Sequence, residues 1–428
     1  MRFLADLHIH SHYSVATSKA MIPEQLHRWA QLKGITVLGT GDCCHPGWLS
    51  ELQEKLVPAE AGLYKLRADL AEAVDQAVPG RCRSPVRFLL SAEISSIYKK
   101  DGRVRKIHSL LFLPEMQSAA ALQAALARIG NIASDGRPIL GLDAKELLKI
   151  AREVSEEIVL VPAHAWTPHF SILGARSGFD SLQECFEELT PLIPAIETGL
   201  SSDPPMNWRL ADLANVRLIS NSDAHSPAKL MREANLFDTD LTYAAIMRAI
   251  CEPHNRAFLG TIEFFPQEGK YHYDGHRSCQ IRLSPEETRK AGGLCPRCNR
   301  PVTVGVMHRV EELADFPPGH RPPGALPFRA LIPLAEIIAE IEQVGMNSKK
   351  VDKLYMELLS RFGNEYHILV EEELQRLRSL GYNLLAAGIA KVREGQVSIS
   401  PGYDGEFGTI RVFDGEERRE LSGQLGLF

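Results

Sequence analysis

The chain of 428 residues contains no apolar run approaching the ~18 residues that a membrane-crossing helix requires, so no membrane span or membrane partner is expected. Its start lacks the basic stretch, apolar centre and small-residue cleavage site of a secretory signal. Basic charge is not in excess either. The formal net charge of −6 excludes a global positive field, and any contact with nucleic acid must be local. There is no Gly-rich phosphate loop, no dinucleotide fingerprint and no Ser-His-Asp order, which argues against kinase, dehydrogenase and esterase chemistry. No internal repeat is visible. The eight Cys are unevenly spread. Without a secretory signal, a cytoplasmic protein with reduced thiols is expected, and paired Cys read as metal ligands rather than disulfides.

What is present is alternation. Across residues 1–262, short apolar runs at Phe3–His8, Ile35–Gly39, Val86–Ala92, Ile107–Leu113, Ile158–Pro162, Ala195–Glu197 and Val216–Ser220 alternate with amphipathic segments. The latter include Pro23–Leu32, Ala120–Ile129, Leu182–Glu188 and Asn207–Leu213. Strand–helix alternation predicts an α/β fold of parallel units. Seven strands predict a β/α barrel one unit short of the usual eight, with its chemistry at the C-terminal strand ends. Asp101-Gly102 reads as a tight turn joining two strands.

Residues that bind metals recur at those strand ends. His8 and His10 lie two apart, so on a strand both face one side. Asp42, Glu93, His108 and His164 stand in or just past later strands, and Asp223 and His225 follow the seventh. Imidazole mixed with carboxylate suits Zn, Mn or Fe better than Mg or Ca. Eight ligands exceed one ion, so two or three clustered divalent metals are expected, with Glu93 able to bridge two. His12 either joins the site or caps it, and His45 is open. His27, His169, His254, His320 and His367 read as ordinary hydrogen-bonded histidines, and Cys43-Cys44 as packing. Clustered cations point to hydrolysis, most often of a phosphoester.

This order of His-x-His, acid, Glu, His, His and Asp-x-His resembles the PHP (polymerase and histidinol phosphatase) superfamily over about residues 1–260. The resemblance implies a distorted seven-stranded barrel with up to three metals held by His8, His10, Asp42, Glu93, His108, His164, Asp223 and His225. Asp42, in Thr40-Gly41-Asp42, stands where that family usually has an imidazole. Tyr13-Ser14 occupies a stretch where it often has an acid.

Residues 263–312 change character. Cys295-x-x-Cys298 has zinc-knuckle spacing and a partner in His276-x-x-Cys279, which predicts a closed structural Zn site, with His272 and His308 as rival fourth ligands. Residues 313–400 are mostly helical by period, with Leu331–Val344, Ser348–Arg361 and Val370–Leu380 each followed by a Gly, at 345, 363 and 381. Residues 401–428 read as a flexible polar tail. The barrel, the knuckle and this helical region together resemble endonuclease Q over nearly the whole chain. That family nicks DNA 5′ of deaminated bases (uracil, hypoxanthine, xanthine) and at abasic sites. The resemblance therefore implies a metal-dependent DNA endonuclease. A small-molecule phosphoesterase of histidinol-phosphatase type is the alternative. Tyr13, Trp48, Trp166 and Trp208 fall near the expected mouth, with core packing as the expected role. The last residues, Gln424–Phe428, resemble the peptide by which bacterial DNA enzymes dock on the sliding clamp.

Overall fold

The computed structural model describes residues 1–414 and Glu417. Seven strands follow one another around a distorted barrel. β1 (Arg2–Asp6) pairs in parallel with β2 (Val37–Gly39), and β2 in parallel with β3 (Arg87–Lys100). β4 (Arg103–Leu113) returns antiparallel along β3, and β5 (Val159–Pro162) lies antiparallel to β4. Ala165 N donates to Glu197 O at 3.0 Å, which joins the end of β5 to β6 (Ala195–Glu197). β7 (Arg217–Ile219) pairs in parallel with β6. Beyond β7, Ile9 and Ala224 form a parallel bridge that brings the last strand back to the first.

All seven predicted strands are present, but the all-parallel expectation fails at β4. Asp101 and Gly102 have φ of 51° and 73°, the left-handed pair a two-residue hairpin turn requires. So short a turn cannot make a parallel crossover, which takes a dozen or more residues. His108 therefore enters the site from a strand running the other way, opposite Ser95. The distortion has a second source. β8 (Ala234–Asp238) lies antiparallel along β1, where a simple barrel would place β7. Asn235 joins the two sides: its Nδ2 donates to Ser220 O at 2.7 Å and its Oδ1 accepts from Ser220 N at 2.9 Å.

The barrel interior is a buried apolar layer of Ala5, Leu7, Val37, Leu89, Leu110, Val161, Ala195 and Ile219. The two-residue period of a strand carries this face from Leu89 to Glu93, from Leu110 to His108 and from Ala195 to Glu197. Apolar residues thus fill the barrel, and polar ones continue the same faces at its mouth. β1 itself ends at Asp6, so His8 and His10 stand just past the strand rather than on it.

Among the outer helices, Pro23–Lys33 matches expectation, and Ala120–Ile129 proves to start earlier, at Met116. Leu182–Glu188 shortens to Leu182–Phe186, followed by a 3-10 turn over Glu187–Leu192 that contains Pro191. Asn207–Leu213 is not one helix. Asp203 caps a short turn over Pro204–Asn207, and a separate 3-10 turn spans Ala211–Leu213. Near the C-terminus, Leu334–Glu342 ends on Gln343 in left-handed conformation, before Gly345. Lys349–Phe362 ends on Gly363 as expected. The third predicted helix divides into a π turn, His367–Glu371, and a helix, Leu374–Ser379, and a fourth helix, Asn383–Glu394, follows. Packed structure continues past residue 400. Ser398–Ser400 pairs with Thr409–Arg411, and Val412 and Phe413 are buried. No described helix is long and apolar enough to cross a membrane.

Candidate metal centre and cysteine cluster

Two groups of ligand atoms meet at the mouth: His8, His10 and Asp223 in one, Glu93, His108 and His164 in the other. Glu93 faces both. Its Oε2 lies 3.5 Å from His8 Nε2 and 3.2 Å from His10 Nε2, while its Oε1 lies 2.7 Å from His108 Nδ1 and 3.0 Å from His164 Nε2. Asp223 Oδ1 stands 3.6 and 3.1 Å from the same two Nε2 atoms.

Asp42 and His225 are placed differently. Asp42 is buried behind His10, with Oδ1 3.0 Å from His10 Nδ1. Its Oδ2 accepts from Ser11 N, Ser11 Oγ and Ser14 Oγ. His225 sits at the rim, its ring 4.5 Å from that of His10 and its Nδ1 2.9 Å from Asp223 O. His12 turns away to Glu51 at 2.8 Å, and His45 caps the helix Pro46–Lys55. Trp48 and Trp166 are core residues, as expected, and Trp208 packs edge-on against Phe328. Tyr13 is 36% exposed and lies against His12 and His45.

Two further residues belong to the site. Glu197 Oε1 lies 3.0 Å from His8 Nδ1, and its Oε2 accepts from His164 N at 2.8 Å. It occupies the same strand-end station as the other acids, and that position was its sequence signal. Arg137 Nη1 lies 3.2 Å from Glu93 Oε2. It comes from a loop without a motif, so no sequence signal marked it.

The donor set fits divalent cations. Glu197 and Asp42 hold the Nδ1 atoms of His8 and His10, which turns each Nε2 toward the centre. Those two Nε2 atoms and Asp223 Oδ1 are buried without a hydrogen-bond partner. Groups left so are costly unless something else satisfies them. The backbone is held in left-handed conformation at Asp42 (φ 50°), His164 (φ 29°) and Asp223 (φ 47°). Such residues cost about 1–3 kcal/mol each and cluster at functional sites.

Burial opposes the charged form of His8, but Glu197, Glu93 and Asp223 outweigh it and hold the ring well above its ordinary pKa. Asp223 and Glu93 are held well below the carboxylate range, against their burial, chiefly by His8 and by His108 respectively. Burial drives His108 down to about 4, so its ring is neutral and available as a ligand near neutral pH. The site thus combines ionised carboxylates with imidazoles around a common centre.

The second cluster brings His276, Cys279, Cys295 and Cys298 together, all ligand atoms within 4.8 Å of one another. His276 and Cys279 come from the strand–turn unit Asp274–His276 and Arg277–Cys279, and the other two thiols follow the helix Pro285–Lys290, whose start is fixed by a capping box between Ser284 and Glu287. Cys295 is held down at about 6; burial opposes this, but the backbone N–H groups of Arg297 and Cys298 favour its thiolate. The rival ligands lie elsewhere: His272 is buried against Tyr273, and His308 Nδ1 lies 2.7 Å from Asp274 Oδ2.

A barrel mouth lined by histidines that share a central Glu, with carboxylates fixing two of the rings, defines a metal-dependent hydrolase of phosphoester type. The chain is similar over its full length, and over the full length of the other, to the lesion-specific endonuclease PfuEndoQ of Pyrococcus furiosus, with 31% identity and a TM-score of 0.84. A crystal structure of endonuclease Q with a 27-mer duplex, an abasic lesion at its active site, matches 97% of this chain and 98% of that one, with 32% identity and a TM-score of 0.82. Residues 333–396 match the family model of the MJ0043 C-terminal domain. The protein MJ0043 of Methanocaldococcus jannaschii is 32% identical over 255 residues, 58% of this chain, and the match spans 31% of that protein's length. The chain belongs to the endonuclease Q family.

Proposed function

We propose that this DNA endonuclease hydrolyses the phosphodiester on the 5′ side of deaminated bases (uracil, hypoxanthine or xanthine) and of abasic sites, in DNA repair. The observation that carries it is Glu93, whose two oxygens face two separate histidine groups at the mouth of a chain matched end to end by a lesion-specific endonuclease. His8, His10, Asp223 and Glu93 would hold one divalent cation, and Glu93, His108 and His164 a second. His225 at the rim is available to a third, and Zn, Mn and Fe all suit this donor set. Asp42 and Glu197 orient the rings of His10 and His8. Clustered cations supply water activation and charge neutralisation on the phosphoryl oxygens. His276, Cys279, Cys295 and Cys298 would hold one structural Zn.

Beside the mouth lies a cavity of 680 Å³ between barrel and zinc module. Arg176, Lys270, Tyr271 and His169 line it, and it adjoins the centre through Thr167, whose Oγ1 is 3.2 Å from His164 Nδ1. Its size and mixed polarity suit a displaced nucleotide. Displacing a damaged or unpaired nucleotide costs less than displacing a paired one, which supports lesion selectivity. The peptide Gln424–Phe428 lies outside the described residues. By its sequence it would tether the enzyme to a DNA sliding clamp, a second partner beside DNA.

Incubation with Mn²⁺ or Zn²⁺ and a labelled duplex bearing one deoxyuridine, deoxyinosine or abasic site should give a single nick immediately 5′ of the lesion, with unmodified duplex intact. Release of phosphate from histidinol phosphate with every duplex untouched would instead establish the small-molecule phosphoesterase.

A further inference from the structure

We infer that Arg137 is a catalytic residue that binds a non-bridging oxygen of the scissile phosphate. The inference rests on the endonuclease function proposed above. Arg137 is carried by a loop pressed onto the metal centre. Gly136 N donates to Tyr13 O at 3.2 Å, Val15 N and Arg137 N both donate to Asp135 Oδ1, and Ser95 N donates to Pro138 O at 3.0 Å. Past the loop, Ile139 and Leu140 pair with Ser95 and Ser96 of β3, just beyond Glu93. A Cβ at Gly136 would stand 2.2 Å from Asp42 Oδ2 and 2.3 Å from Ser14 Oγ. No side chain fits there, so glycine is what lets the loop approach this closely. The loop is therefore tied at both ends and in its middle.

The arginine is held by one edge only. Nη1 lies 3.2 Å from Glu93 Oε2, the oxygen that faces His8 and His10. The side chain is 27% exposed, and its other donors have no hydrogen-bond partner among the described residues and are not buried. A guanidinium is charged at every working pH and offers five donors in a fixed fork. With one donor fixed on Glu93, the rest leave a permanent cation open beside the metal centre, within reach of a phosphodiester bound there. Charge grows on the non-bridging oxygens during phosphoryl transfer, and a preorganised donor stabilises that charge more than it stabilises bound substrate.

A purely electrostatic role is the competing account, in which Arg137 only neutralises Glu93 and Asp223. The two differ in what is lost with the side chain. In the full-length, Mn²⁺-loaded protein acting on an abasic duplex, Arg137→Ala should lower kcat on the order of 100- to 1000-fold. KM, the bound metal per chain and the melting temperature should stay near wild type. Added guanidinium should restore part of the rate, and Arg137→Lys should lie between the two. Two results overturn the inference: an Arg137→Ala rate equal to wild type, or a protein that loses metal and recovers full rate in excess Mn²⁺. A wild-type protein that cuts no duplex overturns the proposed function and this assignment with it, whereas a cutting wild type beside an equally active Arg137→Ala overturns this assignment alone.

Discussion

At the scale of single residues, two histidine rings of the centre are each held at Nδ1 by a buried carboxylate. Glu197 holds His8 by Nδ1 and also accepts from Asn221 Nδ2 at 2.9 Å, so its carboxylate is fixed from two sides. Replacing such an orienting group typically costs about 10- to 100-fold in metal affinity. Glu197→Gln should show that loss in a Zn²⁺ competition titration, with the fold retained; unchanged affinity would mean that His8 needs no orienting partner. The residues that meet at the mouth were legible because imidazoles and acids recurred at one structural station. The hydrogen bonds behind them were not: Asp42, expected as a ligand, has its oxygens bonded to His10, Ser11 and Ser14. A second buried acid, Glu263, is pushed up to about 8, chiefly by burial, while hydrogen bonds from Thr261, Thr198 and Ser220 act the other way. The folded chain therefore keeps this proton where the unfolded chain has lost it. Stability on this account is greatest below the ordinary value of 4.5 and falls as pH rises through about 8. Glu263→Gln should flatten the fall in melting temperature across that window, and an undiminished slope would show that Glu263 ionises freely in the folded protein.

At the scale of elements, position was easier to read than direction. All seven barrel strands were placed by apolar runs, because a strand buried on both faces is apolar throughout. The same runs carry no sense of direction, and only the Asp101-Gly102 turn separated β4 from the parallel set. The short helices failed for a related reason. Prolines at 191, 204 and 205 set helix starts and 3-10 turns that a 3.6-residue period does not report. The clustering of His276, Cys279, Cys295 and Cys298 was legible because paired Cys at two-residue spacing have few other uses. The elements around these four residues are a hairpin of two three-residue strands and a six-residue helix, too small to bury a core of their own. Cys295→Ser should therefore remove one Zn per chain and open the amides of residues 274–300 to hydrogen exchange, while barrel amides stay protected. Retained protection in the module would show that packing, not metal, holds it.

At the scale of the molecule, the helical region is anchored to the barrel by a buried ion pair. Lys33 ends the helix Pro23–Lys33, and its Nζ lies 2.6 Å from Glu365 Oε2, with 3% and 0% of the two side chains exposed. Tyr355 Oη donates to the same oxygen at 2.7 Å, and Leu334 N donates to Glu365 Oε1 at 2.9 Å. Cys82 Sγ also reaches Leu359 O, and the strand Phe328–Ala330 extends the barrel sheet beside Phe258–Glu263. At the far end the hairpin of residues 398–411 folds back onto the strand Ile281–Leu283 beside the cysteine cluster, where Arg282 donates to Ser400 Oγ at 2.8 Å. None of this was readable beforehand, because Lys33 looks like an ordinary last-turn cation and nothing in its surroundings points to a residue so far along the chain. The pair's value lies in its completeness. Removing one partner from a buried ion pair costs about 3–5 kcal/mol because a bare charge is left behind, whereas replacing both is often near neutral. Lys33→Met should therefore lower the stability seen in urea denaturation by that order, and Lys33→Met combined with Glu365→Gln should recover most of it. Since the joint lies behind the mouth, the double variant should also cut a lesion duplex at close to the wild-type rate. If the double variant is as unstable as Lys33→Met, the attraction itself, and not the bare carboxylate, holds the helical region in place.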